Sequence, residues 1–144
     1  TKQCNCGAYG CLEQVASATG IVRLAENALK NDKRSSLLRN IEKITAKDVL
    51  DSAKSGDEVA MEVVQKVSAY LGVAISKVAL IVDPDVIVIG GGVSKAGSFL
   101  VDLINKEYLK YTTLSDERAE IVLAMLGNDA GIYGAAKLAL DALT

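Results

Sequence analysis

The segment from residue 58 to residue 92 constrains the fold more than any other part of the chain. Apolar residues recur about every 3.6 positions, which predicts one long helix over 58–82. The end of that stretch, VALIV, is apolar on every side, so we expect the helix to begin at the surface and to end buried. Asp83-Pro84 stops the helix, and the β-branched run Val86–Ile89 that follows is typical of a strand covered on both faces.

The rest of the chain continues this alternation. A second helix is predicted over 97–110, a second buried strand over 119–126, and an Ala-rich final helix over 131–143. Strand, helix, strand and helix in this order is the α/β pattern. Because two strands form a poor sheet, we expect the remaining strands to lie in sequence outside this chain.

The first half of the chain is predicted to be helical. Residues 12–30 have a helical composition, with a break or bend expected at Thr19-Gly20. Two helix starts are signalled clearly. Thr45 with Asp48 three residues later forms a capping box, and Asp57 is placed to cap the long helix.

Composition narrows the classes of function. The net charge is −2, with Lys and Arg spread along the chain, which disfavours a dedicated nucleic-acid surface. No continuous apolar run is long enough to span a membrane, so we expect no membrane partner. The cysteine count is odd and the cysteines are clustered, unlike a secreted disulfide framework, so we expect a cytoplasmic protein.

All three cysteines lie in the stretch CNCGAYGCLE near the start of the chain. The spacing is Cys4-x-Cys6-x4-Cys11, and three thiolates this close can reach one ion if the loop doubles back. Gly7 and Gly10 supply the backbone freedom for that turn. Cys11 is expected at a helix N-terminus, where the helix dipole favours a thiolate.

Zinc suits three sulfur ligands, but a structural zinc site has four ligands. The chain contains no histidine, so the fourth ligand must come from sequence outside it, a neighbouring molecule, a carboxylate or water. An iron–sulfur cluster is less favoured, because it would need a fourth cysteine. Ordinary reduced cysteines are the alternative, since small buried thiols are common. Three cysteines and two glycines within eight residues favour the metal site.

Gly90, Gly91 and Gly92 follow the first predicted strand. Without side chains they let a ligand approach the backbone at the carboxyl edge of the sheet, where open α/β sheets bind ligands. The pattern is neither Gly-x-Gly-x-x-Gly nor a Walker A loop. A tight turn from strand to helix explains the three glycines equally well.

The stretches CNCGAYGCLE, DPDVIVIGGGVS and LGNDAGIYGAA together resemble the ROK family. This family contains sugar kinases and sugar-responsive repressors with a two-lobed, actin-like ATPase (ribonuclease H-like) fold. The resemblance runs in order along essentially the whole chain, and CLEQVASATGIVRLA is most similar to the glucokinase branch found in low-GC Gram-positive bacteria.

The resemblance implies that residues 1–144 are the C-terminal part of such a protein, cut inside or just before the zinc loop, with the N-terminal lobe absent. The chain would then be an α/β C-terminal lobe with an incomplete sheet and long helices. Residues 1–13 would form the zinc loop and the start of the sugar-site helix. Residues 14–82 would form a helical segment, and 83–144 a nucleotide-side α/β segment.

Residue roles follow from the same resemblance. In ROK kinases, cysteines matching Cys4, Cys6 and Cys11 bind a structural zinc, completed by a histidine upstream of this chain. Glu13 matches the glutamate that contacts the sugar hydroxyls, and Gly90–Gly92 match a glycine segment of the nucleotide-binding lobe. The alternative for Glu13 is a carboxylate stabilised by the dipole of its helix.

The resemblance implies phosphoryl transfer from ATP, bound with Mg²⁺, to the 6-hydroxyl of glucose. The phosphate loop and the catalytic aspartate of the family precede the cysteines, so we expect no catalytic residue here and no activity from this chain alone. The alternatives are a ROK repressor, which binds DNA through an N-terminal helix-turn-helix, and a kinase for N-acetylmannosamine or fructose. Unpaired apolar edges recruit other chains, so we also expect a homo-oligomer.

Overall fold

The computed structural model describes residues 3–91, 97–112 and 118–143. The helices found in these ranges are α1 (Glu13–Ala16), α2 (Ala18–Asn31), α3 (Ala46–Lys54), α4 (Glu58–Val82), α5 (Ser98–Tyr108) and α6 (Ala130–Asp141). Short 3₁₀ helices lie at Leu37–Asn40 and Gly127–Asp129, and the strands are β1 (Val86–Ile89) and β2 (Glu120–Leu123). The two strands pair in parallel, with Val86 opposite Glu120, and α5 forms the crossover between them. The predicted α/β class is confirmed, with helices dominant.

Helix α4 is the centre of the packing. Its buried face repeats every three to four residues, as at Val59, Val63 and Val67, and α2, α3 and α5 pack against the helix. The predicted N-cap is present, because the side chain of Asp57 accepts a hydrogen bond from the backbone N–H of Ala60. The first half of α4 therefore organises an aliphatic core.

The end of α4 differs from the prediction. Val78, Ile81 and Val82 are exposed, and Ile81 keeps 85% of its surface accessible. On the strand that follows, Val86 and Val88 are also exposed. The expectations that α4 ends buried and that β1 is covered on both faces are wrong for this chain, because its described residues leave both apolar surfaces uncovered.

Helix α4 also qualifies the prediction about membranes. Of the helices in the described ranges, it alone is long and apolar enough to cross a membrane by length and composition. Core helices of globular proteins meet the same criterion, and the buried face of α4 packs on its neighbours. Lys66 and Lys77 interrupt the apolar residues of α4, so the sequence shows no continuous apolar run of that length.

The break in the first predicted helix lies at Ser17, so the prediction of a break at Thr19-Gly20 is wrong. Ser17 is extended, and its hydroxyl accepts a hydrogen bond from the backbone N–H of Gly20 at 3.1 Å, which caps α2. Gly20 lies inside α2 and is buried. A Cβ there would lie 2.9 Å from the carbonyl oxygen of Gln14, so glycine serves the close approach of α1 to α2.

Helices α4 and α5 approach each other closely at Gly72. A Cβ on Gly72 would lie 2.6 Å from the Cβ of Glu107 and 2.9 Å from the backbone nitrogen of Tyr108. Tyr108 is fully buried, so α5 cannot move away without losing core contacts. We expect Gly72→Ala to lower the free energy of unfolding by about 2 kcal/mol, despite the better helix propensity of alanine.

Urea unfolding measures this loss of stability. The matched control is Gly131→Ala in α6, where a Cβ would meet nothing within 4 Å. We expect that control to be neutral or slightly stabilising, because alanine restricts the unfolded chain. Equal free energies of unfolding for the two variants would contradict the packing described at Gly72.

Asp57, at the start of α4, forms hydrogen bonds with residues at the start of the Leu37–Asn40 turn. Its carboxylate accepts hydrogen bonds from the Ser36 hydroxyl at 2.8 Å, the Leu37 backbone N–H at 2.5 Å and the Ala60 backbone N–H at 3.0 Å. Burial pushes the pKa of Asp57 up, but the hydrogen bonds outweigh burial and hold that pKa below its ordinary value. The ionised carboxylate therefore stabilises the fold.

Because the pKa of Asp57 is lowered in the folded protein, the free energy of unfolding depends on pH. Its stabilisation is present above the unfolded pKa of about 4 and is lost as the pH falls through the lower folded pKa. We expect Asp57→Ala to cost about 2 kcal/mol at neutral pH, with the difference from wild type narrowing below about pH 4. Urea titrations across this range measure it. A constant difference would contradict the account. Asp48→Ala removes the exposed carboxylate that accepts from the Thr45 backbone N–H, and it is expected to cost less than Asp57→Ala at neutral pH.

Candidate functional site

The cysteine loop folds back on itself before α1. An isolated antiparallel bridge between Gln3 and Tyr9 closes it. Gly7 and Gly10 have φ angles of 86° and 78°, a region that residues with a side chain rarely adopt. The turn of the loop therefore depends on glycine at the two positions where the sequence predicted it.

The three sulfur atoms converge at one end of this loop. The Sγ atoms of Cys4, Cys6 and Cys11 all lie within 4.8 Å of one another, and those of Cys6 and Cys11 are 3.6 Å apart. A tetrahedral zinc ion with Zn–S bonds of about 2.3 Å places its sulfurs about 3.8 Å apart. The three cysteines thus fit three corners of such a site, and across the described ranges no carboxylate lies within the same distance of all three sulfurs.

The thiols of Cys6 and Cys11 hold their protons unequally. A hydrogen bond with the backbone of Ala8 lowers the pKa of the Cys6 thiol, and contacts with Cys11 and Cys4 lower it further. The side-chain hydrogen bond with Cys6 raises the pKa of Cys11 to about 11, with smaller contributions from Cys4 and from burial. Cys6 is therefore the first of the two to become a thiolate.

The sequence predicted that a helix dipole favours a thiolate at Cys11. This prediction is wrong while the three cysteines are thiols, because the pKa of Cys11 is then raised. Helix α1 has only four residues and begins at Glu13, two positions after Cys11. A single turn has a weak dipole, and the neighbouring thiols dominate the pKa of Cys11 instead.

Glu13 lies beside the sulfur cluster as the first residue of α1, with an exposed side chain. Its Oε2 accepts a hydrogen bond from Nε2 of Gln14 at 2.8 Å. The same oxygen lies 3.6 Å from Sγ of Cys4, which donates to it. The structure therefore brings together the predicted sugar-binding carboxylate and one of the predicted metal ligands.

Gln14 and Arg23 also belong to this corner, and the sequence analysis did not single them out. Oε1 of Gln14 accepts a hydrogen bond from the guanidinium of Arg23 at 2.6 Å, and Arg23 also donates to the backbone carbonyl of Gln14. The two residues lie on different helices, separated by the break at Ser17, so no helical periodicity links them. The position of Gln14 next to Glu13 was the only available signal.

A cleft of about 870 Å³ opens next to this corner, between the cysteine loop, α2 and α4. Its walls are mostly apolar, as at Leu24, Tyr70 and Val73, with Arg23 and Lys77 among the polar lining residues. Glu13 does not line the cleft. This cleft therefore does not enclose a sugar around the Glu13 carboxylate.

Gly90 and Gly91 follow β1 directly. A Cβ on Gly90 would lie 3.4 Å from the Cβ of Ala124, and Gly91 has a φ angle of 77°. The turn after the strand therefore needs glycine at Gly91 whether or not a ligand binds. Gly92 lies outside the described residues. The nucleotide-binding role of this segment stays a prediction.

Comparison with known proteins gives consistent results. The sequence profile of the ROK family matches residues 1–142. Glucokinase from Halalkalibacterium halodurans is 46% identical over 135 residues, which cover 91% of this chain and 41% of the relative. The solved structure of a ROK family glucokinase from Streptomyces griseus, in complex with glucose and AMPPNP, matches with a TM-score of 0.84 and 31% identity. That match covers 94% of this chain and 46% of the other.

A repressor is also similar. The DNA-binding transcriptional repressor Mlc from Escherichia coli is 34% identical over 104 residues, which cover 72% of this chain and 25% of the relative. The chain therefore spans less than half the length of each of these relatives.

Proposed function

We propose that this chain, which belongs to the ROK family, is part of an ATP-dependent glucokinase and supplies its sugar-orienting carboxylate. The fold is the actin-like ATPase fold expected from the sequence, present here in part, with dominant helices and a short parallel sheet. The reaction proposed for the whole protein is phosphoryl transfer from ATP, with Mg²⁺, to the 6-hydroxyl of glucose.

The observation that carries this proposal is the position of Glu13 at the end of the cysteine loop. Its carboxylate lies 3.6 Å from Sγ of Cys4, at the start of the helix that the loop leads into. A carboxylate that accepts hydrogen bonds from two sugar hydroxyls orients the sugar strongly. Zinc, when bound, would cross-link Cys4, Cys6 and Cys11 as a structural ion and take no part in the chemistry.

The remaining roles are divided between this chain and sequence outside it. Residues 1–13 would fix the sugar contact, 14–82 would support it, and 83–144 would form the nucleotide side, with Gly90–Gly92 against the nucleotide. No catalytic base is proposed among these residues. Catalysis of phosphoryl transfer is mostly positioning and charge neutralisation, so a fixed sugar contact is a substantial contribution.

A sugar-responsive repressor is the second candidate, favoured by the similarity to Mlc over 72% of the chain. A repressor would use the same carboxylate and cysteine loop to bind a sugar effector. We favour the kinase because the glucokinase relative is more similar, at 46% identity against 34%. A homo-oligomer, and the inactivity of this chain by itself, stay predictions.

Incubation of the full-length protein with MgATP and one sugar at a time separates these candidates. We expect ADP release to be fastest with glucose and slower with N-acetylmannosamine or fructose. Faster ADP release with N-acetylmannosamine or fructose would replace glucose as the proposed substrate and would still support a kinase. No ADP release with any sugar, together with DNA binding that a sugar abolishes, would replace the kinase by the repressor.

A further inference from the structure

We propose that Gln14 and Arg23 are positioning residues that hold the Glu13 carboxylate in the orientation that meets the sugar. The inference rests on the sugar contact proposed for Glu13. A continuous series of hydrogen bonds runs from Arg23 through Gln14 to Glu13. Arg23 donates to Oε1 of Gln14 at 2.6 Å, and Nε2 of Gln14 donates to Oε2 of Glu13 at 2.8 Å.

Arg23 decides which way the Gln14 amide faces. A guanidinium is a donor only, whereas a carboxamide has one accepting oxygen and one donating nitrogen. Gln14 must therefore present Oε1 to Arg23, which leaves Nε2 to donate to Glu13. Without Arg23 the amide could turn over and present its oxygen to the carboxylate, which would repel it.

Arg23 also fixes the backbone from which Glu13 projects. Helix α1 is a single turn, and the last carbonyls of a helix lack donors within it. Arg23, half-buried on α2, donates to the backbone carbonyl of Gln14. The missing side chain at Gly20 lets α2 approach the same carbonyl. The angle between α1 and α2 is therefore set next to Glu13.

The neutral amide between the two charges has a functional consequence. A direct ion pair between Arg23 and Glu13 would engage the carboxylate in a strong bidentate contact and oppose sugar binding. With Gln14 between them, Oε2 accepts one amide hydrogen bond beside the longer contact from Sγ of Cys4, and the other carboxylate oxygen keeps its accepting capacity for hydroxyl donors. Positioning is thus obtained without neutralising the group that binds.

Kinetics of the full-length protein test the proposal with Gln14→Met, Arg23→Met and the double variant. Gln14→Met conserves side-chain volume and keeps the backbone contact with Arg23, so α1 should stay in place. We expect each single variant to raise the apparent KM for glucose about tenfold, as for the loss of one hydrogen bond to a charged group. The KM for ATP and kcat should stay within about twofold, because Gln14 and Arg23 act through the sugar contact alone.

Two further variants separate positioning from a general structural role. The double variant should be no worse than the more impaired of the two single variants, since residues that act through one contact are not additive. Arg23→Lys should recover part of the glucose affinity, because an ammonium can still donate to Oε1 but lacks the planar fork. Lys30→Met, an exposed position on the same helix, is the control and should change nothing.

Glu13→Gln, measured in parallel, separates failure of this inference from failure of the proposed function. If Glu13→Gln weakens glucose binding while Gln14→Met and Arg23→Met bind like the wild type, the positioning role is overturned and the sugar contact stands. If Glu13→Gln has no effect, the proposed sugar contact fails. Crystal structures of Gln14→Met and Arg23→Met then decide the positioning role alone. A displaced Glu13 carboxylate supports it, and an unchanged one overturns it.

Discussion

Replacing Glu13 by Gln in the full-length protein is expected to weaken glucose binding about 100-fold, because two hydrogen bonds from sugar hydroxyls would lose their charged acceptor. The change keeps the size of the side chain, and Glu13 is exposed, so we expect little change in stability. ATP affinity should stay nearly constant. Isothermal titration with glucose and with an ATP analogue measures both affinities.

The matched control for that experiment is Glu26→Gln, an exposed glutamate on α2. It removes the same charge from the same part of the molecule and should leave glucose affinity unchanged. If Glu13→Gln also binds glucose like the wild type, Glu13 is a carboxylate at the start of α1 with no role in sugar binding.

Loss of the metal is expected to have the second large effect. We expect about one zinc per chain in the full-length protein, and Cys6→Ser or a chelator should remove it, lower the melting temperature and weaken glucose binding about tenfold or more. The physical reason is that three converging sulfurs hold the loop that leads into Glu13. Metal analysis, thermal unfolding and glucose titration of the same samples measure the three effects.

Asn5→Ala is the control for the loop, since Asn5 is exposed between two of the cysteines. It should keep zinc, stability and glucose affinity. Purified full-length protein that contains no zinc would refute the metal site. Metal-depleted protein that binds glucose as tightly as the loaded protein would refute the link between the metal and Glu13.

Local signals in the sequence predicted local structure well. Thr45 and Asp48 form the predicted capping box, and Asp57 caps α4 as expected. Asp83 adopts the left-handed conformation, with a φ angle of 49°, where the sequence ends the long helix before Pro84. Each of these features depends on side chains within a few residues of the backbone they satisfy, so the sequence contains the whole interaction.

Contacts between distant segments could not be predicted in the same way. In the sequence, Gly20 predicts a helix break. In the structure it allows α2 to approach the carbonyl of Gln14, which lies on another helix. The hydrogen bonds between Arg23 and Gln14 cross the same break. The apolar end of α4 predicted burial, yet the described residues leave Ile81 exposed, because burial depends on what packs over a surface.

In the candidate site, too, local features could be predicted from the sequence and contacts between helices could not. The spacing of Cys4, Cys6 and Cys11 predicted a converging cluster, since two glycines let a short loop return on itself. The role proposed for Glu13 rests on the resemblance to ROK kinases, because an isolated glutamate at a helix start has an ordinary structural explanation. The contact between Gln14 and Arg23 depends on how α1 and α2 pack, so it could be identified only from the structure.

A crystal structure of the full-length protein with glucose tests the central claim most directly. We predict that both carboxylate oxygens of Glu13 accept hydrogen bonds from sugar hydroxyls at about 2.7 Å, while a metal ion lies among Cys4, Cys6 and Cys11. Glucose bound elsewhere, with Glu13 making no contact to it, would contradict the claim that this loop and helix form the sugar-binding part of a ROK kinase.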